Sequence, residues 1–453
     1  MTNKIFGFWQ RLSHEWRFAL GGFLVARLAL TLWSLAVYSI FPMALQNLDL
    51  FGEPVLTAFD LRTSERYMFS RQVDSAVLSF NVFDVNHASD DQTGSLWSLR
   101  DGRALQGQYR GYSLQTSSHA VEEIFPYLGI KPAKNMALAL WQRFDANWYL
   151  KVAMRGYGND GSTVYFPVYP MLIRTLVFFM DPMLAATLVS NLALIGVLAL
   201  FHRLTATIAD DAVARRVVIY FLLFPTAFFL TAAYTESLFL FFMLASFLTA
   251  SRGGWGWSAL WGALAALTRL QGVLVIVPLA YMLWRGMRDL PLRTKVLRSA
   301  PLFMIPIATV SFLAFTNLSL LNAYQGILHA RFVLPWDNIL AALSLLFSGK
   351  GSIIDALNLV FTLGLIAMMF AVWRKLPFEY TLYSLLMLTA PMLRMTTTQP
   401  LVSMMRYALV IFPMFIVFAV WGKNGWVNRA IVYVSLLLQM YLSAQLILWG
   451  WVG

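Results

Sequence analysis

The sequence predicts an all-α polytopic membrane protein: a bundle of about 11 transmembrane helices with a large polar loop after the first. Three observations carry this. Of 453 residues, 59% are hydrophobic and only 12% are charged, against roughly 25% charged in an average soluble domain. Eleven apolar stretches approach the length a helix needs to cross a bilayer. When those stretches are taken as crossings, basic residues collect on one side. This composition excludes an ordinary soluble enzyme, a disordered chain and a fibrous protein. With no cysteine, disulfides, thiolate metal sites, iron–sulfur clusters and a cysteine nucleophile are excluded as well.

The first apolar run, 18–41, is too long for a signal-peptide core and lacks a small-residue cleavage site, so it reads as the first membrane helix. Further spans are expected at 184–202, 213–231, 234–250, 255–268, 271–285, 299–321, 352–373, 378–393, 404–421 and 430–449. Two of these, 255–268 and 271–285, are short and flank Thr268-Arg269-Leu270-Gln271-Gly272, which fits two short spans or one broken pair. Residues 164–180 are ambiguous, with two prolines at the start and Arg174 inside. If they do not cross, sixteen basic residues fall on the inner side, including Arg285, Arg288, Arg293, Lys295 and Arg298 in one loop. If they cross, that loop lies outside, against the positive-inside rule. The segment therefore reads as interfacial or re-entrant. The expected topology has a cytoplasmic N-terminus and an extracytoplasmic C-terminus in a plasma or bacterial inner membrane.

Residues 42–163 break the membrane pattern. They carry 11 Lys/Arg and 13 Asp/Glu, a net charge of −2, and are expected outside. Short alternating runs such as Ala76-Val77-Leu78-Ser79-Phe80-Asn81-Val82-Phe83, set among turn-forming residues, predict a small strand-rich subdomain. Residues 136–158 are amphipathic and aromatic, as expected of a segment lying on the membrane surface. The chain thus divides into 1–45, a 46–135 insert, a 136–183 interfacial region and a 184–453 transmembrane domain. The net charge of +12 divides as +3 through the first span, −2 in the outer block and +11 beyond it. It therefore reads as orientation charge rather than as a nucleic-acid footprint.

Three sets of residues carry candidate chemistry. In Arg143-Phe144-Asp145-Ala146-Asn147-Trp148-Tyr149-Leu150 an aspartate sits among aromatics at the expected outer interface. A carboxylate there can take a proton from a sugar hydroxyl while aromatics such as Trp148, Tyr149, Tyr165 and Tyr169 stack on sugar faces. The same pattern also fits an interfacial belt with one solvated Asp. In Tyr234-Thr235-Glu236-Ser237-Leu238-Phe239, Glu236 lies at the outer end of a helical hairpin, where an ionisable group marks a substrate path or a short solvated loop. Outside the large block, five basic residues are expected on the outer side: Arg269, Arg331, Lys350, Arg394 and Arg406, the last followed by Tyr407. Converging arginines beside apolar helices suit a lipid-linked phosphate, although each alone also fits headgroup snorkelling.

Other signals are negative. Gly349-Lys350-Gly351 lacks the features of a phosphate-binding loop, and there is no HExxH and no Asp-x-Asp. The five histidines are scattered, so no metal site is expected from them. No cofactor is indicated, and a divalent metal is left open.

The run RFDANWYLKVAMRGY followed by YFPVYPMLIR resembles the signature of the PIG-V family of integral-membrane mannosyltransferases. FPTAFFLTAAYTESLF, ALTRLQGVLV and SMMRYALVIFPMF resemble three further family segments, in the family's order. The resemblance covers about 136–285 and 400–421. Three features depart from it: Phe144 replaces the usual Trp, Met405 stands where Pro is common, and the 46–135 insert is foreign to the pattern. The resemblance implies a GT-C bundle with an outer-face active site. It implies a polyprenyl-phosphate-linked sugar donor, mannose by family tendency, and a glycan, glycolipid or protein acceptor, with no nucleic acid involved. Transfer would be an inverting displacement in which Asp145 deprotonates or orients the acceptor hydroxyl. Arg269 and Arg406, with Arg331, would hold the leaving phosphate. Trp148, Tyr149, Tyr165, Tyr169, Tyr234 and Tyr407 would line the substrate site, and Glu236 would bind a sugar or hold an arginine. The alternative reading is a transporter or flippase of lipid-linked glycans. It calls for charge near helix midpoints and for related halves, whereas most charge here lies at helix ends.

Overall fold

The computed structural model describes residues 12–40, the strands between 43 and 115, residue 128, residue 130 and 133–452 except 159, 288, 318, 325–329, 397, 398 and 449. The N-terminal charges Lys4 and Arg11 lie outside the described residues, as do Arg288 and His329. The chain divides into two compact units. One comprises Met1–Leu28, Val152–Leu442 and Val452–Gly453; the other comprises Ala29–Lys151 and Ser443–Trp451.

The longer helices, in chain order, are α1 His14–Ile40, α2 Asp145–Arg155, α3 Val168–Val177, α4 Pro182–Ile208, α5 Asp211–Leu223, α6 Glu236–Ser251, α7 Trp255–Ala266, α8 Ile276–Gly286, α9 Leu292–Ser299, α10 Met304–Phe315, α11 Pro335–Phe347, α12 Ile353–Lys375, α13 Phe378–Met392, α14 Phe412–Trp421 and α15 Gly425–Ile447. Among the described residues, five segments are long and apolar enough to cross a membrane: α1, α4, Leu292–Phe315, α12 and α15. Several other expected spans are shorter apolar helices, including α6 and α14. At ten residues α3 is about 15 Å long, half the thickness of a bilayer core. It buries Tyr169, Pro170 and Ile173 and exposes Met171, Leu172 and Arg174. That pattern suits an interfacial helix.

Local sequence explains where the helices begin. Asp181 caps α4 by accepting from the Met183 and Leu184 amides at 2.9 and 3.2 Å, with Pro182 in the first turn. Asp210 caps α5 through the Val213 amide at 2.8 Å. Ser352 and Asp355 form a capping box at α12. The α6 helix is apolar and buried on almost every side, as a central bundle helix must be. By contrast α1 exposes Leu24, Val25, Leu28 and Leu32, a surface suited to lipid. Phe201, Phe221, Phe412 and Phe415 pack edge to face in the core of the first unit. Arg285 forks onto Glu379 through two 3.0 Å bonds, joining the end of α8 to the start of α13.

In the second unit, the region read as strand-rich carries eight strands. They are β1 Met43–Leu50, β2 Glu53–Asp60, β3 Glu65–Arg71, β4 Val77–Phe83, β5 Ser89–Asp91, β6 Gly94–Leu96, β7 Gln106–Tyr109 and β8 Tyr112–Gln115. Six form a sheet in the order β1-β2-β3-β4-β8-β7, antiparallel except between β4 and β8. The strands β5 and β6 pair separately. Residues 136–151 group with these strands and with Ser443–Trp451 in this unit.

Candidate functional site

In the second unit the Asp145 turn is fixed from beneath. Arg143 is fully buried and donates to three backbone carbonyls: Ile447 through Nε at 3.0 Å, and Ala139 and Gln142 through one terminal nitrogen at 2.7 and 3.1 Å. Gln142 accepts from the Ala133 amide and donates to Asn147 Oδ1. Phe144 adopts φ of +46°, a left-handed conformation that costs energy for a residue with a side chain, and packs edge to face on Trp451. Asp145 follows as the first residue of α2, half-buried, where the helix N-terminus favours a carboxylate. Trp148 is half-buried with the Lys151 ammonium 5.0 Å from its ring centre, and Tyr149 is buried.

In the first unit a second charged site is built from three distant segments. Glu236, the first residue of α6, has no solvent exposure. Its Oε1 accepts from Arg269 at 2.6 Å and from Arg406 Nε at 2.5 Å. Among the described residues its Oε2 has no hydrogen-bond partner. Two guanidinium groups thus meet on one buried carboxylate oxygen through charge-assisted bonds. The Arg406 guanidinium lies 4.7 Å from the Tyr234 ring and 4.9 Å from Phe229, while Arg269 lies 5.5 Å from Tyr407 and 5.9 Å from Phe239.

Each segment is held by a local device. Arg269 precedes a 3₁₀ turn, Leu270–Val275, whose Gly272 sits so close to the Ala265 and Ala266 backbone that a Cβ has no room. Glycine at this position lets the Arg269 turn fold back onto the end of α7. The Val168 amide donates to Leu267 O at 3.1 Å, tying α3 to the same turn. Arg406 lies in the short helix Met404–Ala408, entered through Ser403 at φ of +69°. Thr226 donates to Met405 O at 2.9 Å, and the Met405 amide donates to Asn358 Oδ1 at 3.2 Å. Proline, common at this position in the pattern described above, could not make the second bond.

Beside the cluster runs an apolar groove of about 400 Å³. Leu270, Leu274, Tyr324, Pro391, Leu393 and Tyr407 contribute to its wall, together with Arg331 and Arg394. A two-stranded ribbon, β9 Ala330–Phe332 against β10 Arg394–Thr396, brings these two distant segments together, with Arg331 opposite Met395 and Arg394 opposite Phe332. Arg394 also stacks over Tyr324 at 5.7 Å. The sequence marked Arg394 only as one outward cation among five, because no spacing rule links positions 331 and 394.

The remaining candidates fall as follows. Tyr169 is buried, its hydroxyl bonded to Ala186 O at 3.0 Å and to Ser190 Oγ at 2.8 Å, so it fastens α3 to α4 instead of lining an open surface. Tyr165 is half-buried and accepts at its carbonyl from the Tyr157 hydroxyl. Tyr234 is buried under Arg406. Asp145, Trp148 and Tyr149 belong to the second unit, and the other candidates to the first.

Residues 116–336 match a family model described as mannosyltransferase (PIG-V). This segment is similar to the PIG-V mannosyltransferases. The PIG-V-like segment spans just under half of the chain. It holds the Asp145 turn, Glu236, Arg269 and Arg331, and ends before Arg394, Arg406 and Tyr407. No curated protein and no solved structure matches the chain.

Proposed function

We propose that the chain is a multi-pass membrane mannosyltransferase, which moves a sugar from a polyprenyl-phosphate donor to an extracytoplasmic acceptor. The observation that carries this reading is the buried Glu236–Arg269–Arg406 cluster, whose neighbours Leu270 and Tyr407 line an apolar groove edged by Arg331 and Arg394, within and next to the PIG-V-like segment. A polyprenyl phosphate has the same two parts, an anionic head and a long apolar tail. The groove suits the tail, and the arginines suit the phosphate through charge-assisted bonds.

In this reading the acceptor hydroxyl attacks the anomeric carbon from the face opposite the lipid phosphate. Its proton passes to Asp145. The bond from the anomeric carbon to the phosphate oxygen breaks, and the new phosphate charge is stabilised by the arginines. Attack from the opposite face inverts the anomeric centre. Glu236 fixes the direction of both guanidinium groups, and its second oxygen is left to meet a sugar hydroxyl. The positive-inside distribution supports a cytoplasmic N-terminus, an outer-face site and about 11 crossings in total, with shorter helices completing the bundle.

The test is transfer with full-length protein in nanodiscs, using polyprenyl-phosphate mannose and an extract of envelope glycans. Release of free polyprenyl phosphate together with labelled glycan is the expected result. Asp145→Asn should lower kcat by at least about 100-fold, the scale of general-base catalysis. Near-normal transfer by that variant would remove Asp145 from the mechanism. Movement of the donor lipid with no release of lipid phosphate would instead identify a flippase.

A further inference from the structure

Away from the cluster and groove, the fold joins residues that look unrelated in sequence. His14 opens α1, His202 lies near the end of α4, and Asp211 is the first residue of α5. One ligand atom from each lies within 4.8 Å of the other two. His202 is only 5% exposed, and among the described residues its Nε2 has no hydrogen-bond partner. That nitrogen is 3.2 Å from Asp211 Oδ1 without hydrogen-bond geometry. His14 and Asp211 are exposed and close a polar recess of about 430 Å³ also lined by Glu15 and Arg203.

We propose that His14, His202 and Asp211 form a binding site for a first-row divalent transition metal of the zinc class. The donor set is two imidazole nitrogens and one carboxylate oxygen, which suits zinc and its neighbours; calcium and magnesium prefer all-oxygen shells. Zinc bonds of about 2.0–2.1 Å require the donors to close in somewhat. The buried His202 provides a fixed anchor, and the exposed His14 and Asp211 side chains can rotate toward it. Asp211 Oδ2 pairs with Arg215 at 3.1 Å, an outer partner that aims Oδ1 into the recess. A water or Glu15 can complete four-coordination. Arg203 and Arg215 are the cations facing the site, and Glu15 and Asp211 the anions. The scattered histidines of the sequence gave no hint of this site, because the two that matter are brought together by the packing of α1 against the corner between α4 and α5. A bound ion would cross-link those elements at the end of the molecule read as cytoplasmic.

The test uses the full chain, purified in detergent without a histidine tag and stripped with chelator. Equilibrium dialysis against zinc, read by elemental mass spectrometry, should give one ion per chain, accompanied by a rise in melting temperature. His14→Ala, an exposed substitution that leaves the core intact, should weaken binding by more than the roughly 10–100-fold that loss of an outer-shell partner produces. Asp211→Asn should weaken it similarly while preserving volume. Unchanged zinc affinity in both variants, no zinc above background in the wild type, or equal binding of calcium or magnesium would each overturn the proposal.

Discussion

Arg143 and Arg406 are both almost wholly withdrawn from solvent, at 0% and 5% exposure, yet their surroundings differ. Arg143 donates to the backbone carbonyls of Ala139, Gln142 and Ile447. Arg406 shares the Glu236 carboxylate with Arg269. The first arrangement uses a planar fork to bind separate backbone segments, and it works as a rivet under the Asp145 turn. The second brings two guanidinium groups onto one buried carboxylate oxygen. Guanidinium bonds to backbone carbonyls tie chain segments together, whereas a carboxylate shared by two arginines concentrates ionic groups, the arrangement found at functional sites more often than in a plain core.

Breaking the shared carboxylate should have the largest effect. Glu236→Ala removes the carboxylate that two buried guanidinium groups share, and breaking a buried pair typically costs about 3–5 kcal/mol. Thermal unfolding in detergent should show the loss, and inorganic phosphate or donor lipid should restore part of it by supplying negative charge. If phosphate stabilises wild type and variant equally, the cluster is not an anion site. Arg143→Lys should cost less, about 2–3 kcal/mol, because the ammonium keeps the charge but cannot reach all three carbonyls in the plane of a fork. The donor KM should stay unchanged while stability falls; a large rise in donor KM would place Arg143 among the substrate contacts. The smallest effect belongs to an exposed pair. Lys423 donates to Asp210 at 2.8 Å, and with the Val213 amide it holds that carboxyl below the usual carboxylate range. A depressed value stabilises the fold above the unfolded-state pKa, and that stabilisation disappears as pH falls through the folded value. Between about pH 4 and lower values, wild type should therefore lose melting temperature slightly more steeply than Lys423→Ala. Parallel curves would mean that the pair is energetically silent, as many surface pairs are.

How much of this was legible beforehand depended on the range of the interaction. The long apolar helices α1, α4, α12 and α15 follow from composition, because their signal lies within one continuous segment. The Asp145 motif was visible for the same reason, with its aromatics inside one short stretch. Glu236, Arg269 and Arg406 could be marked singly from their position at the ends of apolar runs. That a single oxygen of Glu236 serves both arginines could not be read, since the bonds join segments 33 and 170 residues apart. Tyr169 was marked by its interfacial position alone; that its hydroxyl bonds Ala186 O and Ser190 Oγ across to α4 lay outside the reach of the sequence. Hydropathy reports that a ring is at the right depth, and only packing tells which way it faces.

The ribbon of β9 and β10 has a consequence for protein engineering. Residues 116–336 are the portion similar to a known family, and they invite use as a portable cassette. Yet the last strand of that portion, Ala330–Phe332, finds its pairing partner at Arg394–Thr396, and Glu236 finds one of its arginines at position 406. A chimera cut at 336 would separate a strand from its ladder and a buried carboxylate from half its counter-charge. The transplantable unit is therefore discontinuous along the chain: residues 394–406 must travel with the segment whose ribbon and ion pairs they complete.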